Sequence, residues 1–159
     1  MARTFSASTL DVRKATVTSD QLIEAFESGG ISCDAFHHAD PVKLAFAYLD
    51  NYPVLQGLEK FSVALKRFAT ACGKPQLYNE TITCAYFFLI RERMARGKRR
   101  DWEEFAESNP DLLIGKDGIL SRYYCEATLK SDIARTTFVL PDKCLESHAS
   151  CLELVRHQR

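Results

Sequence analysis

The chain has no net charge, no apolar run of membrane-spanning length, no closely spaced cysteine pair and no internal repeat. Each absence excludes something. Lysine and arginine total 21 and aspartate and glutamate total 21, which removes the bulk electrostatic drive toward nucleic acid or an anionic membrane. No stretch approaches the roughly 20 consecutive apolar residues needed to span a bilayer. The opening Met1-Ala2-Arg3-Thr4-Phe5-Ser6 runs into polar sequence rather than the apolar centre of a signal peptide. A cytoplasmic protein with no membrane partner is therefore expected. The cysteines (Cys33, Cys72, Cys84, Cys125, Cys144 and Cys151) include no Cys-x-x-Cys pair. In a reducing compartment they read as reduced thiols, most of them buried as small apolar side chains. His-Glu-x-x-His is missing, as is the paired Glu-x-x-His of di-iron bundles.

What is present points to one hydrophobic core. With 159 residues, 46% of them hydrophobic and 26% charged, the chain matches ordinary globular usage and is too short for two typical domains. The reading is all-α: a single-domain, compact helical bundle of about five to seven helices, some of them short. Residues 1–17 read as a mobile N-terminal arm, 18–142 as the helical domain, and 143–159 as a C-terminal tail in which Leu152, Leu154 and Val155 give weak helical character.

Helix starts are legible. Thr18 and Gln21 have capping-box spacing, and the stripe Leu22, Ile23, Ala25, Phe26 stops at Gly29-Gly30. Asp40-Pro41 reads as an N-cap followed by a proline at the first helical position, with Asn51-Tyr52-Pro53 as the break. Leu55, Leu58, Phe61, Ala64, Leu65, Phe68 and Cys72 then recur at helical steps up to Gly73. From about Tyr78 to Met94 the apolar residues nearly encircle a helix, which should be central; a buried strand is the rival. Asp101, Asn109-Pro110 and Ser131 are further caps, Ile119 to Tyr124 suggests another helix, and Phe138 to Pro141 reads as an extended closing segment.

The chemistry gathers at two of these starts, Phe36-His37-His38-Ala39-Asp40-Pro41 and Tyr78-Asn79-Glu80-Thr81-Ile82-Thr83. Helix N-termini offer free amides and a positive dipole end, so if the two helices are neighbours one polar pocket contains both motifs. In it His38 would serve as general base and Glu80 as its partner or acid, with Tyr78 and Asn79 as orienting donors. His37, Asp40, Arg67, Thr83, Tyr86 and Tyr123 complete the expected ligand-binding set. The competing reading makes Asp40 and Asn79 ordinary caps and leaves one histidine facing water. A metal version would use His37 or His38 with Asp40 and Glu80, but the spacing matches no closed motif, and no cofactor is expected. Cys33, four residues before His37, has a minority reading as a nucleophile. Six basic residues between Arg91 and Arg100 read as a solvated cationic helix end, and nucleic acid is not an expected partner.

His38-Ala39-Asp40-Pro41, Arg67-Phe68-Ala69, Tyr78-Asn79-Glu80-Thr81-Ile82-Thr83 and Arg122-Tyr123-Tyr124 together resemble a group of small, mostly uncharacterised bacterial helical proteins. Those proteins carry a His-x-Asp/Glu-His-like opening, an Arg-Phe-Ala stretch, a Tyr-His-Glu-Thr-Ile-Thr motif and a closing Arg-Tyr-Tyr. The resemblance runs from Phe36 to about Asp142, roughly two thirds of the chain. It implies a helical fold and brings no established activity. Pro41 and Asn79 stand where those proteins have histidine, so a histidine or metal chemistry shared by them is lost or exchanged here.

The expected function is thus small-molecule binding by a helical domain, extending to a cofactor-independent acid-base enzyme of isomerase, lyase or cyclase type. The alternative is a noncatalytic interaction or regulatory module, as a homodimer, that uses an exposed aromatic face or the basic helix end.

Overall fold

Short-range hydrogen bonds write most helix starts in this chain. Thr18 accepts the backbone N–H of Gln21 while the Gln21 side chain accepts that of Thr18, the reciprocal capping box that opens α1 (Ser19–Glu27). Gly29, at φ +76°, supplies the left-handed residue that turns the chain after it. Asn79 opens α4 (Glu80–Arg96) by accepting the Ile82 amide at 2.9 Å, and Asp101 does the same for α5 (Trp102–Ser108). The computed structural model describes residues 17–97, 101–115 and 118–143. The expected arm up to Thr16, the end of the basic stretch (Lys98, Arg99 and Arg100) and the tail after Lys143, with Cys144 and Cys151, lie outside the described residues.

One start differs from the expectation. Helix α2 (Ala39–Asn51) begins before Asp40, and that carboxylate reaches back to accept the His37 amide instead of capping forward. Pro41 then occupies the third helical position. This costs no hydrogen bond, because the first four amides of a helix have no intrahelical partner. Tyr52 and Pro53 separate α2 from α3 (Val54–Ala71), which ends at Cys72 and Gly73, the latter at φ +68°.

Among the described residues there are seven α-helices, four 3₁₀ turns and no strand. The rival strand at Tyr78 to Met94 is replaced by the 17 residues of α4. The segments after Pro110 and Gly118, expected as helices, are the 3₁₀ turns Pro110–Leu112 and Ile119–Arg122. The chain then forms α6 (Glu126–Leu129) and α7 (Asp132–Thr136), with Ser131 capping the latter.

Helix α4 packs against α2, α3 and α7, and α1 packs against α2. Phe87 and Ile90 of α4 are fully buried, as are Leu44 and Tyr48 of α2. Polar groups latch the outer segments onto this centre. Thr81, with no exposed surface, donates to the Thr137 carbonyl at 2.8 Å and accepts the Val139 amide at 3.0 Å, which fixes the extended closing segment on α4. Arg93 donates to Asn109 at 2.8 Å and pairs with Asp111 at 2.9 Å, which ties the region after α5 to the end of α4. No helix among the described residues is long and apolar enough to cross a membrane.

The cysteine expectation needs correction. Cys33 and Cys72 form a disulfide across 39 residues of sequence, joining the 3₁₀ turn Cys33–Ala35 to the end of α3. Their Cα atoms are 5.8 Å apart, brought together by the packing of Phe26, Phe36 and Phe68, whose ring centroids lie 4.6 to 5.3 Å from one another. Cys84 is a buried free thiol, as expected, and Cys125 is an exposed one.

Candidate functional site

A cavity of about 440 Å³ lies where the starts of α2 and α4 face α3. Val42 and Pro41 of α2, Phe61, Leu65 and Phe68 of α3, and Ile82 of α4 give it apolar walls. Phe36 and the Cys33–Cys72 bridge close one side. Its size is that of an ordinary small-molecule site.

Five of the expected site residues line it: His38, Tyr78, Asn79, Thr83 and Tyr86. They meet because both motifs sit at helix N-termini and α2 packs on α4. His38, exposed, lies edge-on to the Tyr86 ring at 6.4 Å between centroids. A side chain at Gly115 would run into the His38 ring at 3.3 Å, so that glycine lets the loop close over the imidazole. Asn79 is held through both of its polar atoms, since its amide nitrogen also donates to the Leu129 carbonyl at 2.8 Å, which fixes it as part of the wall.

The other five lie elsewhere. His37 is exposed, with Nδ1 2.8 Å from the Ala35 carbonyl. Asp40 faces a small separate hollow of about 190 Å³ beside Leu22, and Arg67 faces another of about 180 Å³ beside Glu27. Tyr123 packs against the core without reaching the cavity. Glu80 turns away from His38 to the α3 side, where Lys66 pairs with it at 3.0 Å, Tyr78 donates to it at 2.9 Å and the Cys84 thiol lies at 3.8 Å.

These contacts decide the chemistry of Glu80. Burial pushes its carboxyl up, but hydrogen bonds from Lys66 and Tyr78, with the Lys66 charge, outweigh burial and hold it below the ordinary value of 4.5. A carboxylate held ionised and occupied on both oxygens is a poor proton donor to anything in the cavity. Its neighbours move the other way. Burial raises the Tyr78 hydroxyl to about 12; its hydrogen bond to Glu80 adds to this, and the nearby Ser62 and Thr83 hydroxyls oppose it. Ser62 influences that phenol, yet its buried Oγ makes no hydrogen bond of normal geometry. Burial and the Glu80 charge raise the Cys84 thiol to about 11, which leaves about one part in a thousand as thiolate at pH 8. Alkylation followed by peptide mapping should therefore label Cys125 quickly and Cys84 only after unfolding. Labelling of Cys84 at the rate of Cys125 would contradict the buried cluster.

Glu80→Gln should cost about 1 kcal/mol, a modest figure because Lys66 is 53% exposed and screened. Because the folded-state pKa is depressed, this contribution is complete above 4.5 and is lost as pH falls through the depressed value. Urea unfolding of wild type and variant should differ most at neutral pH and converge below pH 4.5. A difference that grows on acidification would refute the ion pair.

Among the described residues no three His, Cys, Asp or Glu side chains gather as a metal-binding group. A larger hollow of about 820 Å³ lies at the far end of α4 beside Arg91, Arg93 and Arg96, but Arg93 is spent on Asn109 and Asp111, and Arg96 on Glu92. Lys74 in the lining, Lys66 on Glu80 and the α3 residues Phe61, Leu65 and Phe68 as walls were not expected at the site. The stripe Phe61, Leu65, Phe68 carries the same periodicity whether it meets core or cavity, so no local signal could have separated the two. No protein-family model, curated protein or solved structure matches the chain.

Proposed function

We propose that this protein binds a small molecule in the cavity between α2, α3 and α4. The observation that carries the reading is the contrast inside that cavity. Its walls are apolar and aromatic, while His38, Tyr86 and Lys74 also line it, and their side chains make no hydrogen bond or ion pair among the described residues. Unpartnered polar groups around an apolar hollow are what a ligand site offers. Acid-base catalysis of isomerase, lyase or cyclase type is the extension of this reading. It rests on His38 alone, since Glu80 is committed to Lys66, and it calls for no cofactor.

Two-dimensional NMR with a small-fragment library tests the proposal: bound fragments should shift the methyl signals of Val42, Leu65 and Ile82 together. Shifts confined to residues outside the cavity, or none, would refute it. His38→Gln should abolish any turnover found and leave binding of neutral fragments intact.

A second reading has its own observation. Phe88, Ile133, Phe138 and Leu140 are 39 to 73% exposed, and Phe88 touches Phe138 where the closing segment crosses α4. This apolar surface suits pairing with a second copy of the chain. Light scattering would then show a dimer, and Phe88→Asp would return it to monomer.

Kinship with the small bacterial helical proteins is likewise proposed, on the four motifs that carry the resemblance. So is a cytoplasmic setting, where the Cys33–Cys72 bridge would have to resist or respond to reducing thiols. Acid-quenched alkylation of the protein from intact cells, followed by mass mapping of Cys33 and Cys72, would show which occurs.

A further inference from the structure

The cavity is graded from its floor to its mouth. Val42 and Phe61 at the floor are 3% and 2% exposed, and Phe36, Leu65 and Phe68 above them are half-buried. His38 and Lys74 are exposed and stand at the rim. No aspartate or glutamate lines the hollow. The two carboxylates nearest in sequence are spent elsewhere, Asp40 on the His37 amide and Glu80 on Lys66 and Tyr78. Each of the unpartnered polar side chains can donate a hydrogen bond. The Lys74 ammonium can only donate, and the Tyr86 hydroxyl keeps its proton because burial, with the Asp111 charge, raises it. The imidazole of His38 offers one N–H when neutral and two when charged.

Such a lining discriminates by charge. A cation would meet an ammonium and no compensating carboxylate, and a neutral hydroxyl would accept from the ammonium only a weaker hydrogen bond than a carboxylate does. An anion gains a charge-assisted hydrogen bond at the rim while its body leaves water against the aromatic floor. At about 30 Å³ of liquid per water, a volume of about 440 Å³ corresponds to about fifteen waters, so the body and head together amount to roughly ten to fifteen non-hydrogen atoms.

We infer that the ligand class is a singly charged amphipathic carboxylate, its apolar body against Phe36, Phe61, Leu65 and Phe68 and its carboxylate at the rim beside Lys74. This deepens the binding role proposed above and rests on it. The groups that recognise the head are Lys74 first and His38 second; Asn79 is held in the wall by its bonds to Leu129 and Ile82.

Three probes with the same ten-carbon chain separate the possibilities: decanoate, decanol and decyltrimethylammonium, titrated below their micelle-forming concentrations and followed by calorimetry at neutral pH. Decanoate should bind about tenfold more tightly than decanol, and the cation more weakly than either. Lys74→Gln should bring decanoate close to decanol by weakening decanoate far more than decanol; Lys74→Arg should restore the preference. Ala69→Trp, which fills the hollow from α3, should remove all three, with circular dichroism confirming the fold. Equal binding of decanoate and decanol, or a preference for the cation, would overturn the charge assignment and leave the binding site standing. No binding by any probe would overturn the binding site itself.

Discussion

Removing the Cys33–Cys72 bridge, as Cys33→Ser with Cys72→Ala, should destabilise the protein by up to about 4 kcal/mol, the loop-closure entropy of a cross-link spanning 39 residues. For a domain of this size that is a drop in Tm of about 10 °C. A dithiol reductant should produce the same drop in the wild type and none in the double variant. The bridge fastens the loop between α1 and α2 to the end of α3, beside the Phe26, Phe36 and Phe68 rings. Since Cys33, Cys72, Phe36 and Phe68 all line the cavity, losing the bridge should also weaken ligand binding. Thermal melting followed by circular dichroism checks the first effect. A change under 1 kcal/mol would mean that packing alone holds the two segments together.

Phe87→Ala should cost about 3 to 5 kcal/mol, the usual range for emptying a fully buried aromatic position. Phe87 has no exposed surface and its ring stands 5.5 Å from that of Phe61, the cavity floor. Across the helix interface it meets Gly57 of α3. A methyl there would approach the Phe87 ring tip and the Tyr48 carbonyl, both at 3.3 Å. The carbonyl is backbone and cannot yield, so Gly57→Ala should destabilise although alanine favours helix by about 1 kcal/mol over glycine. Combined with Phe87→Leu, the Gly57→Ala penalty should shrink by about 1 kcal/mol, the coupling expected of residues in contact. Strict additivity of the two changes in urea unfolding would show that they do not touch.

How much of this was readable beforehand depended on distance along the chain. Thr18, Asn79, Asp101 and Ser131 were legible as caps because each bonds an amide only three residues on. Asp40 carried the right residue type, yet its carboxylate turned back to His37, and residue type does not encode that direction. The segments after Pro110 and Gly118 had helical composition but only 3₁₀ turns, too short for periodicity to distinguish from helix.

The site divides in the same way. His38, Tyr78, Asn79, Thr83 and Tyr86 line one cavity because the starts of α2 and α4 pack together, a juxtaposition that two helix starts and one packing assumption suffice to suggest. The role of Glu80 was not legible. Its partner Lys66 lies on another helix, and only the packing of α3 on α4 turns that carboxylate away from the histidine. The disulfide was missed because the expectation came from compartment, whereas the pairing comes from three aromatic rings drawing residues 39 apart into contact. Thr81, read as one letter of a motif, is the latch for a segment more than fifty residues later, with partners 56 and 58 positions away.

Native mass spectrometry of the gently purified protein, wild type beside Ala69→Trp, tests the central claim most directly. The account predicts that the wild type carries a stoichiometric small mass, or gains one on adding decanoate, and that the cavity-filled variant does neither while remaining folded. Equal loading of both proteins, or a wild type that stays bare with decanoate, decanol and decyltrimethylammonium each present in turn, would contradict a ligand site between α2, α3 and α4.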